Sequence, residues 1–522
     1  MRTLKSLMLM AVAISIFAGC CNNRSASEKY YQSLPDEKDF DALCQRAIDE
    51  WKVPGMAVGV VKDGKVVFLK GFGNSVLEDS LNQAAPVTPQ TKFILASTSK
   101  AFTSALLANV MDEYPEIKWD APVRNYLPDF KLYDKWATEE FQVRDIMCHR
   151  TGFEGNALDG CPFFGFDRDG MVKLFASIKP SYSFRTTYGY NNEMFSVAAQ
   201  IIEKYTGKCW EDALAERIYK PLKMNNSTTV KYAFWDDSLF NNGILAHPYA
   251  MSKAEGANEI KLTRRDDRQG GWIWLNAVAP AAAVVTTAED MTHWVMMHMN
   301  HGVFEGDTVV SEANHKMLWT PQTITDYSED AMEAYGQAWT IEQNNRGRYI
   351  RHSGLAYGYT TLVGFVPDLN LGFVFLTNNG TTGAPQAAIA RDLIDMYYGV
   401  KHPENYQKAW ESFTGYLFKE REPEVEPAVD SIAPLENKAY VGEYKLDDVW
   451  GPAKVYLQND TLFFSVREVN APLRHKNGNT FLFTVPGEWA DYYELSFTAD
   501  GNKVKSLSFD TGDPFGEFVK VK

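Results

Sequence analysis

Two rhythms of apolar and polar residues divide this chain. Residues 40–51 carry apolar side chains at helical spacing and stop at Pro54-Gly55, the pattern of an amphipathic helix. Residues 56–61 (Met-Ala-Val-Gly-Val-Val) and 66–69 (Val-Val-Phe-Leu) flank Lys62-Asp63-Gly64-Lys65. Asp-Gly between two β-rich runs predicts a hairpin. After a turn-rich stretch over 81–91, Phe102, Leu106, Leu107, Val110 and Met111 recur at helical spacing. They predict a buried helix opened by Ile94-Leu95-Ala96-Ser97-Thr98-Ser99-Lys100.

Further along, residues 143–149 read as a short helix, and 153–184, rich in Gly, Phe and Asp, as loops over a cleft. Phe195, Ala198, Ile201 and Ile202 share one face of a helix predicted over 192–205, ended by Gly207. Thr286-x-x-Glu289 reads as a capping box before a helix over 291–299. Residues 349–352, 359–366 and 371–376 read as strands, with a turn at Pro367-Asp368-Leu369-Asn370, and 386–398 as a helix. Strands near both ends with helices between predict an α+β domain whose sheet joins early chain to late chain. The charged, proline-rich run 420–427 marks a linker, and residues 438–522 are almost wholly strand-like, with turns at Asn459-Asp460 and Asp500-Gly501. They predict a separate small all-β domain, sandwich or barrel.

Length and charge narrow the picture. A chain of 522 residues is too long for one core and suits two domains plus a leader. The formal net charge of −15 argues against a nucleic-acid partner, since no basic patch is on hand to neutralise phosphates. Arg2 and Lys5 precede an apolar run over 7–17 and then Ala18-Gly19-Cys20, the layout of a secretory signal too short to span a membrane. The cysteine after small residues resembles a bacterial lipobox, which implies lipid attachment at Cys20. Phe17 stands where leucine is usual, leaving ordinary signal-peptidase cleavage open. The expected layout is a leader over 1–20, a tether over 21–35, a catalytic domain over 36–402, a helix and linker over 403–437, and the β domain over 438–522. The expected location is the periplasm or the face of the outer membrane.

Cys44, Cys148, Cys161 and Cys209 are scattered. They form no C-x-x-C pair and indicate buried thiols, although a Cys148–Cys161 bridge is conceivable. His293, His298 and His301 invite a metal reading, but spacings of five and three do not match a helical two-histidine zinc pair. No metal site is expected.

The chemistry starts at Ser97 and Lys100, which share one helix face and can touch. A serine at the first turn of a buried helix also lies beside backbone N–H groups without intrahelical partners. Tyr190, just before a helix, could take the Ser97 proton if a neighbouring cation lowered its pKa. Asn192 offers a donor and an acceptor to Lys100 or to a substrate amide. His352-Ser353-Gly354 closes a predicted strand; Gly354 admits close approach, and the N–H of Leu355 could join that of Ser97 in an oxyanion hole. Tyr188 offers a competing register, but only Tyr190 has an asparagine two residues on.

Ser-x-x-Lys, Tyr-x-Asn and His-x-Gly in this order resemble the serine β-lactamase and penicillin-binding-protein superfamily. The stretches 64–73, 143–152, 335–339 and 352–358 look like its class C-like branch. The resemblance implies a five-stranded antiparallel sheet with flanking helices and a helical lobe. It matches Ser97 to the nucleophile, Lys100 to its amine partner, Tyr190 to the general base, Asn192 to the second-motif companion and His352 to the strand-borne substrate-side residue. β-Lactamases of this class carry Lys at the position of His352. Leu355 and Ala282-Ala283 also depart from the usual glycines, which narrows the site. The expectation is a serine hydrolase acting through an acyl-enzyme on an ester or amide, with a small-molecule or peptide substrate and no cofactor. Two rivals stand beside it: a penicillin-binding carboxypeptidase or weak β-lactamase, and a non-catalytic surface binding protein.

Overall fold

The computed structural model describes residues 34, 37–80, 82–253, 259–265, 268–418, 432–485, 493–509 and 515–521. The expected leader, Cys20, the tether apart from residue 34, and the whole 420–427 linker run lie outside them. Among the described residues no helix is long and apolar enough to cross a membrane.

The catalytic domain is built on one antiparallel sheet. Its centre is five long strands in the spatial order Gly347–Ala356, Tyr359–Val366, Leu371–Thr377, Gly55–Lys62 and Lys65–Val76. Shorter strands (Thr323–Tyr327, Ala331–Tyr335 and Thr340–Asn344) extend one edge, and Ala85–Pro86 the other. Early chain meets late chain at the middle, where Met56 faces Thr377 and Lys62 faces Leu371. The predicted hairpin forms at Asp63-Gly64, both with positive φ (51° and 71°), the two-residue turn that matches strand twist.

Both faces of the central strands are covered, so they are buried continuously rather than in alternation. Met56, Val58 and Val60 pack with Phe373 and Phe375 toward helices Glu37–Glu50 and Ala384–Tyr397. Ala57, Val61, Val374 and Leu376 point the other way, toward Met291, Trp294 and Val295 of helix Ala288–Met299. The helix Asn405–Leu417 closes the first layer, with Trp410 and Phe413 against the ring of Trp51 at 5.2 and 4.6 Å.

Three local expectations are corrected. The helix after strand Val284–Thr286 is capped one residue later than the motif suggested: Thr287 accepts the N–H of Asp290, while Thr286 belongs to the strand. Residues 143–149 form only a short 3-10 turn, Val143–Asp145, capped at its start by Asp145 and Gln142, and the chain has left helical geometry by His149, whose φ is 57°. The stretch 153–184 holds a helix, Arg168–Leu174, capped by Asp167, in addition to loops.

The C-terminal domain is a single nine-stranded antiparallel sheet. Its two edge strands, Val469–Pro472 and Arg474–Asn477, are separated in the chain by Leu473 alone, so the edges meet and the sheet curls into a near-barrel. Phe464 reaches across to Phe483 at 5.1 Å and Phe509 at 5.5 Å inside it. The turn at Asn459-Asp460 has positive φ at both residues.

Trp51 is fully buried where the first helix, the sheet and helix Asn405–Leu417 converge. Trp51→Ala is expected to destabilise the protein by about 3–5 kcal/mol, the usual loss for a large aromatic removed from a core. Urea unfolding followed by fluorescence measures it, and a loss below about 1 kcal/mol would contradict this packing.

Candidate active site

The chain entering the site is held on two sides. Short strand Phe93–Ile94 pairs with Val284–Thr286, and Leu95 continues the contact by donating its N–H to the Val284 carbonyl at 2.8 Å. Leu95 O in turn accepts from the Thr361 hydroxyl at 2.7 Å. Buried Ala96 then adopts φ 49°, a strained value for a residue with a side chain. The Ala96–Thr98 turn it opens leads into helix Ser99–Glu113, so Ser97 sits on a sharp, clamped corner and stays partly exposed.

Lys100, one turn on, is completely buried. Its Nζ lies 3.1 Å from Ser97 Oγ, 2.6 Å from Asn192 Oδ1 and 3.3 Å from the Ala281 carbonyl. It also faces the rings of Tyr190 at 4.7 Å and Phe195 at 5.4 Å. Burial pulls the ammonium down to about 7; the negative charges of Asp159 and Glu193 oppose that fall. Near neutral pH a sizeable share of Lys100 is therefore free amine, able to accept the Ser97 proton.

Tyr190 does not behave as the sequence suggested. Ser97 beside it lowers its pKa, but burial outweighs this and Asp159 and Glu193 add to the rise. The phenol stays protonated, and the group shifted toward neutrality is the amine beside it. Tyr188, the competing register, packs instead against His149 and Tyr335.

Asn192 lies just before helix Met194–Thr206 and bridges: its Oδ1 meets Lys100, and its Nδ2 donates to both oxygens of Asp159 at 2.9 and 3.1 Å. Burial raises the Asp159 carboxyl, while Glu193, Asn192 and Lys100 favour its charged form. His149 steadies this segment. Its carbonyl accepts the N–H of Gly189, its Nδ1 accepts that of Asn191 at 3.0 Å, and its ring lies 4.3 Å from that of Tyr190. Burial, with Lys100 and His352 adding to the effect, keeps this imidazole neutral. Upstream, buried Asp145 ties the loop down through Arg150 and Arg185 at 2.7 and 2.6 Å.

The opposite wall is strand Gly347–Ala356. Its hairpin turn, Tyr357-Gly358, leaves Ala356 facing Tyr359 and Leu355 facing Thr360. Hydrogen-bonded pairs alternate along such a ladder, so the Leu355 N–H points away from the neighbouring strand. The strand on its other side begins pairing only at Arg351, leaving that N–H open to the gap beside Ser97. Gly354 is indispensable there: a Cβ would stand 2.1 Å from Leu95 O and 3.0 Å from Ser97 N.

His352 is buried with both ring nitrogens engaged. Nδ1 donates to the Ser353 carbonyl at 2.6 Å, and Nε2 accepts from the Tyr335 hydroxyl at 2.7 Å. Burial, Lys100 and Arg351 drive it down to about 3, so it presents no positive charge.

All seven sequence-predicted site residues of the two motifs and the strand thus converge on one cleft. Asp159, Glu193, His149, Tyr335 and Ala281 join them unpredicted. His149 and Tyr335 lay within the stretches carrying the resemblance; Asp159 had no periodicity or motif around it. Cys44, Cys148, Cys161 and Cys209 are free thiols, so the conceivable Cys148–Cys161 bridge is not made. His298 bonds His315 at 2.9 Å, and among the described residues no group of three metal-ligating side chains assembles.

An antiparallel sheet flanked by helices, with a cleft that holds Ser-x-x-Lys, a tyrosine and a strand wall, defines a β-lactamase-fold serine hydrolase. A family model described as Beta-lactamase matches residues 40–395, and the chain belongs to that family. A second, Domain of unknown function (DUF3471), matches residues 426–518. Unguisins hydrolase ungD' of Aspergillus campestris is 29% identical over 446 residues, covering 80% of this chain and 77% of its own. Penicillin-binding protein 4 of Amycolatopsis lactamdurans is 24% identical over 408 residues, covering 76% of this chain and 95% of its own. In fold, the chain is similar to the octameric penicillin-binding protein homologue from Pyrococcus abyssi. The TM-score is 0.56 at 20% identity, covering 91% of this chain and 99% of that one.

Gly354→Ala is expected to displace the Ser97 turn and slow fluorophosphonate labelling by about 100-fold, the scale of losing one oxyanion donor. Stopped-flow or gel-based labelling measures it; an unchanged rate would mean the strand can shift without disturbing Ser97.

Proposed function

We propose that the protein hydrolyses an ester or amide through an acyl-enzyme on Ser97, and that Lys100 is the base. The observation carrying this reading is a buried amine, brought down to about 7, lying 3.1 Å from the serine hydroxyl. Neutral Lys100 takes the proton as Ser97 Oγ bonds to the carbonyl carbon. The resulting oxyanion is met by the N–H groups of Ser97 and Leu355. Tyr190, still protonated and with its ring beside Lys100, donates to the leaving oxygen or nitrogen and is reprotonated from Lys100. Water then attacks the acyl-serine by the reverse proton route and releases the acid. These steps need neither metal nor organic cofactor.

The substrate class is set on the side of His352. A β-lactam or a C-terminal D-amino acid presents a carboxylate, and the neutral His352–Tyr335 pair supplies a hydrogen-bonding wall without a counter-charge. This favours an ester or an internal or cyclic amide over a carboxylate-bearing substrate. By the family resemblance D-amino-acid peptides and peptidoglycan fragments stay in range, and, with a penicillin-binding protein among the relatives, a penicillin-binding carboxypeptidase is the second reading. Attachment through a lipid on Cys20, outside the cytoplasm, belongs to the same proposal and rests on the leader alone.

Acylation is expected to follow the free-amine fraction of Lys100, so the labelling rate rises about tenfold per pH unit below about 7 and then levels off. Fluorophosphonate labelling and p-nitrophenyl ester hydrolysis between about pH 5 and 9 test this, with Ser97→Ala as the blank. A flat profile would remove Lys100 as the base, and labelling that survives Ser97→Ala would remove the nucleophile.

His352→Lys places an ammonium where none now stands and is expected to speed acylation by fluorescent penicillin about tenfold, one charge-assisted contact's worth. Wild-type protein that fluorescent penicillin already labels at the rate of esters, with little nitrocefin turnover, would favour the carboxypeptidase reading.

A further inference from the structure

We propose that the C-terminal β domain grips the catalytic domain's own loop at Phe164, and through that loop holds Asp159 as the positioning residue for Asn192 and Lys100. The chain from Asp159 to Phe164 is short and stiff. Leu158 has positive φ (74°), the Cys161 N–H returns to the Leu158 carbonyl, and Cys161–Phe164 forms a 3-10 turn. One end of this segment is in the site, where Asp159 accepts both bonds from Asn192 Nδ2 and so orients the amide with its oxygen toward Lys100. The same loop donates the Asn156 N–H to the Tyr190 carbonyl at 2.6 Å and accepts Asn191 Nδ2 on the Ala157 carbonyl at 2.9 Å.

The other end is inside the β domain. Phe164 is completely buried, although it leaves the catalytic domain, because four rings of the near-barrel surround it. Phe509 stacks at 5.3 Å, with Trp450 at 5.6 Å, Tyr493 at 5.8 Å and Phe483 at 6.4 Å. Arg467 clasps the same turn twice, donating to the Gly165 carbonyl at 3.0 Å and lying over the Phe166 ring at 3.8 Å. Ser177 bonds Asp447 at 2.8 Å a little further on. A barrel whose interior takes up an aromatic side chain from a neighbouring domain is a receptor for that side chain. Here the side chain is tethered five residues from the carboxylate that orients the site amide.

The catalytic consequence rests on the function proposed above; the mechanical one does not, and hydrogen exchange separates them. In the full chain, Phe164→Leu and, independently, Arg467→Ala are expected to raise exchange about tenfold in residues 153–160 and also in 189–193. A rise confined to 161–166 and the β domain in the variants that fold overturns the proposal. Should Phe164→Leu fail to fold, Arg467→Ala carries the same reading. Asp159→Asn removes a negative charge that holds the Lys100 ammonium up, so the rising limb of the labelling profile is expected to move to lower pH while the plateau falls at least about tenfold. A limb that stays in place with only a lower melting temperature shows a structural residue and overturns the assignment of Asp159. A wild type that fluorophosphonate never labels sinks the proposed function and leaves the exchange result to decide the coupling.

Discussion

A lysine with no exposed surface and no carboxylate in direct contact is the constraint around which this cleft is arranged. Its nitrogen has three acceptors, Ser97 Oγ, Asn192 Oδ1 and the Ala281 carbonyl, one for each proton of an ammonium. That set solvates the cation well enough to keep it in the fold, yet not well enough to hold its pKa where water would. Asp159 and Glu193 stand one side chain further out and oppose the shift without abolishing it. A direct ion pair would have kept Lys100 charged and useless as a base. A wholly apolar pocket would have neutralised it at the expense of the hydrogen bonds that aim it at Ser97. The polarity around this one nitrogen sets how readily it gives up its proton.

Nothing local could assemble that environment. Ser97 and Lys100 come from a corner braced by strands 284–286 and 359–366, Asn192 from the start of a helix in the other lobe, and Ala281 from the chain just before the bracing strand. The sheet supplies the rigid member. Its three middle strands are buried on both faces, and the wall carrying Gly354 and Leu355 is anchored by pairing with one of them from Ile350 to Ala356. The lobe side is less regular, and there the polypeptide uses polar ties instead. Asp145 is bracketed by two guanidinium groups, and His149 is pinned by backbone N–H and carbonyl contacts on either side of Tyr190.

Legibility in the sequence followed the same division. The hairpin at Asp63-Gly64, the Ser97 helix and the late strands were readable because β-branched runs, helical spacing and turn residues report on burial that is local in the chain. Pairing of strand 55–62 with 371–377 followed from their sharing one sheet. The helix cap at Thr287 was missed by one residue because two adjacent threonines offer the same hydroxyl. Asp159 was invisible for a deeper reason: its importance comes from a partner thirty-three residues away, and it sits in a loop whose composition carries no period. The direction in which the Tyr190 phenol is shifted was also not legible in the sequence. Mutual attraction would lower a phenol beside an ammonium, but burial acts on both groups, raising one and lowering the other. Which dominates depends on depth, and depth is a property of the folded chain.

The same reasoning bears on His352. A histidine on the wall strand looks like a cation held ready for a substrate, and in water it would be half charged near its usual pKa. Inside this cleft it lies close enough to Lys100 to feel its charge, and a second positive group there would be opposed by both burial and repulsion. The Tyr335 hydroxyl donates to Nε2, so protonation would require losing that bond as well. The wall therefore stays neutral under any condition in which Lys100 is partly charged. Burial and mutual repulsion both oppose a second cation beside Lys100, and that leaves no counter-ion on this wall for a substrate carboxylate. In the proposed mechanism, the amine beside Ser97 and the imidazole of the wall strand are in this sense one electrostatic choice.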